Sequence, residues 1–361
     1  MNSLTGIIRA EIARNGPLPF ARFMELALYH PEFGYYESRE NGPGRRGDFY
    51  TSVSAGELFG QLLACRFAEW LREFKTAGVK FHIIEAGSHD GRLAADILNW
   101  LQSRRPKLFS KLEYVIIEPS PRRREWQRET LRKFSSVRWS ADFQTLRRVL
   151  RARQFNGIIF SNELLDAFPV HRFGWDAKDK KWFEWGVSAD GDKFAWTKIR
   201  PSAFSLQPSA LQSVLPDGYT FETSPAAEIW WRKAAGVLAR GKLLAIDYGL
   251  TDDILFSPSR PNGTLRGYHQ HHASDDVLTN PGQQDITAHV NFSTIQKVGE
   301  EAGLKTEFFG TQSKFLTDIL AAAMNSNIFA EWSGKQTRQF QTLTHPEHLG
   351  RAFRVLVQSR Y

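Results

Sequence analysis

Apolar residues recur along this chain with two different periods, and the alternation between them predicts the architecture. Leu4, Ile7, Ile8 and Ile12 fall at helical spacing, as do Phe20, Phe23, Met24, Ala27 and Leu28, with Gly16-Pro17-Leu18-Pro19 as the break between two helices. A loop-like stretch rich in Gly and Tyr runs from His30 to Ser54. A long amphipathic helix is predicted from about Glu57 to Phe74. Short apolar runs then begin to end in polar residues. Phe81-His82-Ile83-Ile84 ends in Glu85, Tyr114-Val115-Ile116-Ile117 in Glu118, and Gly157-Ile158-Ile159-Phe160 in Ser161-Asn162-Glu163. Leu243-Leu244-Ala245-Ile246 ends in Asp247, and Val137-Arg138-Trp139 is a weaker strand of the same kind. Helical patterns separate the first four of these runs, beginning at about Arg92 and after Ser120-Pro121. Apolar strands alternating with helices predict a parallel sheet covered on both faces.

Two insertions interrupt the alternation. Val170–Phe173, Trp182–Val187 and Phe194–Ile199 read as antiparallel strands, with Asp190-Gly191-Asp192 as a turn, inside a β-rich insertion of about residues 170–222. Residues 251–291 read as a polar loop. Lys305–Phe309 and Phe353–Val357 read as the last two strands. The expected organisation is an N-terminal helical extension and aromatic loop over residues 1–78, then an α/β domain over 79–361.

In open α/β sheets ligands sit at the carboxyl ends of the strands. Glu85, Glu118, Asn162, Glu163 and Asp247 are therefore expected to converge on one crevice. The turn Glu85-Ala86-Gly87-Ser88-His89-Asp90-Gly91 lets the backbone approach a ligand at Gly87 and Gly91, and the helix after it begins with unpaired N–H groups. Such a turn serves a phosphate or an amino-acid carboxylate equally well. It lacks the second glycine of a dinucleotide fingerprint, and Glu85 at its entrance repels phosphates but suits a ligand carrying an ammonium and a sulfonium. Glu118 is placed to accept hydrogen bonds from ribose hydroxyls. In Asn162-Glu163-Leu164-Leu165-Asp166-Ala167-Phe168-Pro169, two carboxylates and an amide stand at the end of a strand, and Glu163 and Asp166 suit a guanidinium fork. The same residues also read as a capped helix start. The aromatic loop Gly34-Tyr35-Tyr36 with Gly47-Asp48-Phe49-Tyr50 reads equally as a cation-binding face and as packing.

Composition narrows the partners. The 361 residues are 42% hydrophobic and 24% charged, ordinary globular values, with an aromatic share of 13% that supports a large core. Net charge is +8. Its densest runs, around Arg122-Arg123-Arg124 and Arg147-Arg148, read as solvated outer faces of helices, which makes nucleic acid an unlikely partner. The single cysteine, Cys65, excludes an intrachain disulfide and reads as a buried, inert thiol. No apolar run reaches membrane-spanning length, and the N-terminus lacks a signal-type segment, so a cytoplasmic location is expected. His269, His271, His272 and His289 match no zinc spacing, and no metal is expected.

Several stretches in one order carry a specific resemblance: Ala27-Leu28-Tyr29-His30-Pro31 with Gly34-Tyr35-Tyr36, Gly47-Asp48-Phe49 with Thr51-Ser52, Leu58-Phe59-Gly60, Asn162-Glu163 through Asp166-Ala167, Asp247-Tyr248-Gly249, Thr264-Leu265-Arg266-Gly267-Tyr268, Asp285-Ile286-Thr287-Ala288-His289-Val290, and Thr311-Gln312 with Phe315-Leu316. Across nearly its whole length the chain resembles the MidA-like family, methyltransferases tied to assembly of mitochondrial respiratory complex I, with bacterial relatives. The resemblance implies a class I, Rossmann-like, seven-strand methyltransferase fold with added N-terminal helices and insertions. It implies S-adenosyl-L-methionine as cofactor and protein arginine as acceptor, in the cytoplasm of bacteria or the mitochondrial matrix of eukaryotes. Under it, Asp48, Glu85, Gly87, His89, Gly91, Glu118 and Asn162 are expected to bind the cofactor, and Glu163, Asp166 and Asn162 to carry the transfer. The chain departs from the family at two places: His89 replaces the middle glycine of the turn, and Val53-Ser54 follow Thr51-Ser52 where the family has Pro-Glu. A non-catalytic assembly protein keeping the fold, or an RNA methyltransferase, are the alternatives.

Overall fold

The computed structural model describes residues 3–39, 51–73, 80–202, 215–269, 272–325, 329 and 332–361. They divide into two compact units, each assembled from three stretches of chain. One comprises Met1–Phe49, Asp166–Glu228 and Leu250–Thr294; the other comprises Tyr50–Leu165, Ile229–Gly249 and Ile295–Tyr361.

The first unit begins with helices α1 (Leu4–Asn15) and α2 (Phe20–Tyr29), separated by the two-residue strand β1 (Leu18–Pro19). Ser3 caps α1 by accepting from the Gly6 amide, and Gly16, at φ 78°, ends it with its N–H on the Ile12 carbonyl at 2.8 Å. The second unit opens with α3 (Leu58–Glu73), β2 (Phe81–Ala86), α4 (Arg92–Arg104), α5 (Pro106–Phe109), β3 (Leu112–Ile117), α6 (Pro121–Thr130), β4 (Val137–Ser140), α7 (Phe143–Leu150) and β5 (Phe155–Asn162). The chain returns to the first unit for β6 (His171–Asp176), β7 (Lys181–Asp190), β8 (Lys193–Ile199) and β9 (Thr220–Thr223). After α8 (Pro225–Val237) and β10 (Leu238–Leu250) come α9 (Asp252–Leu255), β11 (Arg266–His269), β12 (His272–Ser274), β13 (Asp285–Thr287) and β14 (Val290–Asn291). Helix α10 (Phe292–Glu301) leads into β15 (Lys305–Thr311), α11 (Gln312–Asn325), α12 (Gly334–Thr344), α13 (Leu349–Ala352) and β16 (Phe353–Arg360).

In the second unit seven strands lie side by side in the order β15-β16-β10-β5-β2-β3-β4. β2, β3, β4, β5 and β10 are parallel, and β16 is antiparallel to both β10 and β15. Counting only this sheet's strands along the chain, the order is 6-7-5-4-1-2-3, a doubly wound arrangement whose direction switches between β2 and β5. The central strands are apolar without alternation because both faces are covered. Ile83, Ile84, Ile158, Ile159, Phe160 and Leu243–Ile246 are all fully buried. Helix α3 lies on this sheet through Phe67 against Phe160, with ring centroids 5.0 Å apart, and crosses α4 where Gly60 allows it. A Cβ on Gly60 would stand 2.6 Å from Asp96 Cβ. On α8, Trp231 donates its indole N–H to Gln358 of β16 at 2.8 Å, so a fully buried polar pair closes within the core.

In the first unit β1-β7-β6-β9 form an antiparallel sheet with β8 on the far side of β7. Phe20 of α2 packs tilted against Trp196 of β8, and Phe23 meets Phe194 edge-on. The antiparallel strands and the 190–192 turn stand where the sequence pattern predicts them. The stretch 251–291 is corrected from a polar loop: it carries a second sheet in the order β12-β11-β13, with Tyr268 opposite Asp285. Its strands are three or four residues long and largely polar on one face, too short for a periodic signal. Among the described residues no helix is long and apolar enough to cross a membrane, and no cluster of three metal-ligating side chains occurs.

Candidate functional site

The switch between β2 and β5 puts two turns next to each other at the carboxyl edge of the sheet in the second unit. After β2 the backbone enters the left-handed region at Gly87 (φ 76°), His89 (φ 44°) and Gly91 (φ 86°). A side chain on Gly87 would press its Cβ to 3.0 Å from Leu164 Cδ1. His89 nevertheless holds the left-handed conformation, so the turn keeps its path with a histidine at its centre. The His89 carbonyl accepts from Gln127 at 3.0 Å, its ring lies 6.3 Å from Trp126, and its Nε2 is buried without a hydrogen-bond partner among the described residues. Asp90 accepts from the Arg92 amide at 3.2 Å and starts α4.

Glu85, 2% exposed, is the penultimate residue of β2. Tyr114 of β3 donates to its Oε2 at 2.6 Å. No Lys or Arg among the described residues pairs with it. Burial pushes its carboxyl up to about 7, partly offset by the Tyr114 hydrogen bond. Glu118, 1% exposed, follows β3. It accepts from the Ser120 amide at 2.9 Å, Gln127 at 3.2 Å and Arg123 at 3.0 Å. Gln127 in turn accepts from Trp139 at 2.9 Å, which fixes its amide. Ser120 caps α6 through the Arg123 amide, so one short segment both starts the helix and orients Glu118.

The second turn follows β5. Asn162 ends the strand, and Glu163 adopts φ 52°, its N–H on the Ile246 carbonyl at 2.9 Å. Glu163 Oε1 accepts from Asn162 Nδ2 at 2.9 Å and from the Ser52 amide at 3.2 Å. Ser52 donates its hydroxyl to Gln312 at 3.0 Å, and Gln312, the first residue of α11, donates to the Leu343 carbonyl. Asn162 Oδ1 is buried and has no hydrogen-bond partner among the described residues. Asp247, fully buried on β10, accepts from the backbone amides of Leu164, Leu165 and Tyr248 at 2.8 to 3.1 Å. It shapes the 162–165 turn from beneath.

The structure thus brings Glu85, Gly87, His89, Gly91, Glu118, Asn162 and Glu163 into one unit, on the turns that close β2, β3 and β5. Asp166 belongs to the other unit, where it is 6% exposed and its carbonyl accepts from the Ala288 amide at 2.9 Å. Asp48 lies outside the described residues, as does His271. Of the aromatic loop, Tyr35 and Tyr36 pack within the first unit, and Gly47 to Tyr50 lie outside the described residues. Tyr35 is fully buried, and Tyr36 donates to Asp285 at 2.7 Å. Cys65 is buried in the sheet's core, and burial pushes its thiol up to about 11. Sequence reasoning missed Tyr114, Gln127, Ser52 and Gln312. A tyrosine inside an otherwise aliphatic strand run was the available signal for Tyr114; Ser52 and Gln312 stand in two of the stretches that carry the resemblance, but a hydrogen bond spanning 260 positions leaves no local pattern that links them.

Residues 62–310 match the profile of a family described as "Putative S-adenosyl-L-methionine-dependent methyltransferase". A crystal structure of a Burkholderia thailandensis protein bound to S-adenosyl-homocysteine is 34% identical, with a TM-score of 0.83 covering 99% of this chain and 92% of that one. The Drosophila melanogaster protein named Protein arginine methyltransferase NDUFAF7 homolog, mitochondrial, is 28% identical over 98% of this chain and 84% of its own length. The human protein of that name is 28% identical over 83% and 70%.

Proposed function

The chain belongs to this S-adenosyl-L-methionine-dependent methyltransferase family, and from that premise we propose that it methylates a protein on the guanidinium of an arginine. The observation that carries the proposal is Glu163: a carboxylate on a left-handed turn at the sheet's switch point, anchored by the Ser52 amide and Asn162. The residues present fit the cofactor. Glu85 is a buried acid without a cationic partner among the described residues, which suits a ligand bearing an ammonium and a sulfonium. Gly87 lets the turn lie close against Leu164, which a Cβ would approach to 3.0 Å. S-adenosylmethionine, when bound, supplies an electrophilic methyl on sulfur.

In this reading Glu85, Gly87 and Gly91 cradle the amino-acid end, and Glu118 accepts from the ribose hydroxyls. Asn162 and His89 would contribute to the same cradle, and Asp48, outside the described residues, is assigned to the cofactor from the resemblance alone. Glu163 accepts N–H bonds from the acceptor guanidinium, turns one nitrogen lone pair toward the methyl and takes up the proton released when that nitrogen is alkylated. Asp166, which belongs to the other unit, keeps its assignment as an acceptor-binding carboxylate from the sequence alone. Two cations meet in such a reaction, so fixed carboxylates lower the repulsion, and positioning supplies most of the rate. The test is to incubate the protein with methyl-labelled S-adenosylmethionine and a host lysate, then hydrolyse the labelled material. Label recovered as methylarginine, lost with Glu163→Gln, is expected. Label in RNA, or on another amino acid, would overturn the acceptor assignment. A respiratory complex I subunit is the acceptor protein proposed from the family resemblance.

A further inference from the structure

We propose that the amino edge of the parallel sheet, at the opposite end of the strands from the cofactor turns, is a docking surface for the phosphodiester backbone of double-stranded nucleic acid. Residues 104–153 carry fifteen Lys and Arg against five Asp and Glu, a net +10, against +8 for the whole chain. The topology decides where this charge goes. In a parallel βαβ unit each helix starts at the carboxyl ends of the strands and finishes at their amino ends. Helices α4, α6 and α7 therefore all end at the amino edge of β3, β4 and β5.

The end of α4 and the segment after it bring Arg104, Arg105, Lys107 and Lys111, with no acid from 104 to 111. The end of α6 and its following turn bring Arg128, Arg132 and Lys133, with Glu129 the one acid between. The end of α7 brings Arg147, Arg148, Arg151 and Arg153, again with no acid from 147 to 154. All but the half-buried Arg105 are exposed. Among the described residues none of these eleven lies within 4.0 Å of a carboxylate. Some exposed cations elsewhere are paired, as Lys181 is with Asp179, Lys314 with Asp318 and Lys335 with Glu57, and others such as Lys233 and Lys305 are not; what sets this edge apart is the number of unpaired cations that the topology gathers there. A cation at a helix C-terminus is favourable against the helix dipole, but that effect is confined to the last turn and does not call for four per end. Gathering so many unneutralised charges on one edge costs self-repulsion, which a polyanion relieves.

The chemistry separates the possible polyanions. Eight of the eleven are arginines, whose planar fork matches phosphate oxygens bidentately. The exposed large apolar side chains among the described residues are Ile229, Ile254, Met324 and Tyr361, none in this segment, so nothing here inserts into a bilayer. The nearby rings lie beneath the cations: Arg105 over Trp100 at 5.6 Å, Arg128 over Trp139 at 5.3 Å, Lys133 over Phe134 at 5.1 Å. Covered rings offer no platform for unstacked bases, which favours a duplex contacted through its backbone without regard to sequence.

The test is fluorescence anisotropy with a roughly 20-base-pair RNA duplex, and its DNA counterpart, across a salt series. Binding that falls steeply and log-linearly with salt is expected. The triple variants Arg104→Gln/Arg105→Gln/Lys107→Gln and Arg147→Gln/Arg148→Gln/Arg153→Gln are each expected to weaken it about tenfold or more, with a shallower salt slope. Lys181→Gln/Lys314→Gln/Lys335→Gln removes the same charge elsewhere and is expected to change it less than twofold. Circular dichroism confirms folding of each, and two separate triples keep the test alive if one misfolds. No binding to either duplex at low salt, equal weakening by the control triple, or tighter binding to phosphatidylglycerol vesicles or polyglutamate than to the duplexes would overturn the proposal.

Discussion

The two ends of one parallel sheet handle charge in opposite ways. At the carboxyl edge the acids are buried or half-buried and individually held: Glu118 by the Ser120 amide, Gln127 and Arg123, Asp247 by three backbone amides, and the half-buried Glu163 by Asn162 and the Ser52 amide. At the amino edge eleven cations are held by no carboxylate among the described residues, and ten of them stand in water. A buried charge is expensive unless it is bonded, so the carboxyl edge spends its hydrogen bonds on fixing geometry for a small ligand. An exposed charge costs little to leave unpaired, and its field reaches roughly 10 Å at 0.1 M salt, so the amino edge suits a large, repetitive partner. Glu85 is the exception at the carboxyl edge, a buried acid with a tyrosine but no cation, and it marks the place where a charge arrives from outside.

The comparison breaks first at Glu163. Glu163→Gln keeps the turn's hydrogen-bonding shape but removes the charge; methyl transfer is expected to fall by about 100-fold or more, with cofactor affinity within twofold, as separated by single-turnover rates and calorimetry. A wild-type rate would show that the acid only closes the turn. Glu85→Gln comes next. It is expected to weaken S-adenosylmethionine by about tenfold at pH 8, the worth of one charge-assisted bond.

The same residue sharpens the contrast through pH. The folded carboxyl titrates near 7 against 4.5 for the ordinary group, so the folded apo chain binds the extra proton between these values. Its contribution to stability is present below 4.5 and lost as pH rises through 7, by at most about 3 kcal/mol. Urea unfolding of the ligand-free protein from pH 5 to pH 8 should show this decline in the wild type and not in Glu85→Gln; parallel curves would mean that Glu85 does not titrate in this range.

Much of this was legible in the chain and some was not. Apolar runs ending in Glu85, Glu118, Asn162 and Asp247 announced the carboxyl edge, because a strand covered on both faces must be apolar until it leaves the sheet. Asp247 was visible as an acid but not as a turn-shaping one; its role depends on which amides lie above it. The Ser52–Gln312 link joins residues that no local pattern connects. The basic runs were read as outer faces of helices, and their position within the helices, late rather than central, carried the information that topology then interpreted. The sheet of β11–β13 was hidden because strands of three or four residues have no period to read.

Smaller effects sharpen the account further. Gln312→Ala removes the acceptor for the Ser52 hydroxyl; a roughly tenfold loss of transfer rate with unchanged cofactor affinity is expected, and a change in affinity alone would place Gln312 elsewhere in the cycle. His89→Gly relieves a left-handed non-glycine residue while loosening the unfolded chain, for a net gain of about 0.5–1 kcal/mol in thermal or urea unfolding; destabilisation would show that the imidazole holds the turn.

The central claim is that the Glu85–Gly91 turn receives a cationic cofactor, and calorimetric titration of S-adenosylmethionine into the wild type and Glu85→Gln, from pH 6 to pH 8, tests it most directly. One-to-one binding that strengthens in the wild type as pH rises through about 7, and is weaker and flat with pH in the variant, is the predicted result. Absence of binding by the folded wild type, or equal and pH-independent affinity in both proteins, would contradict it.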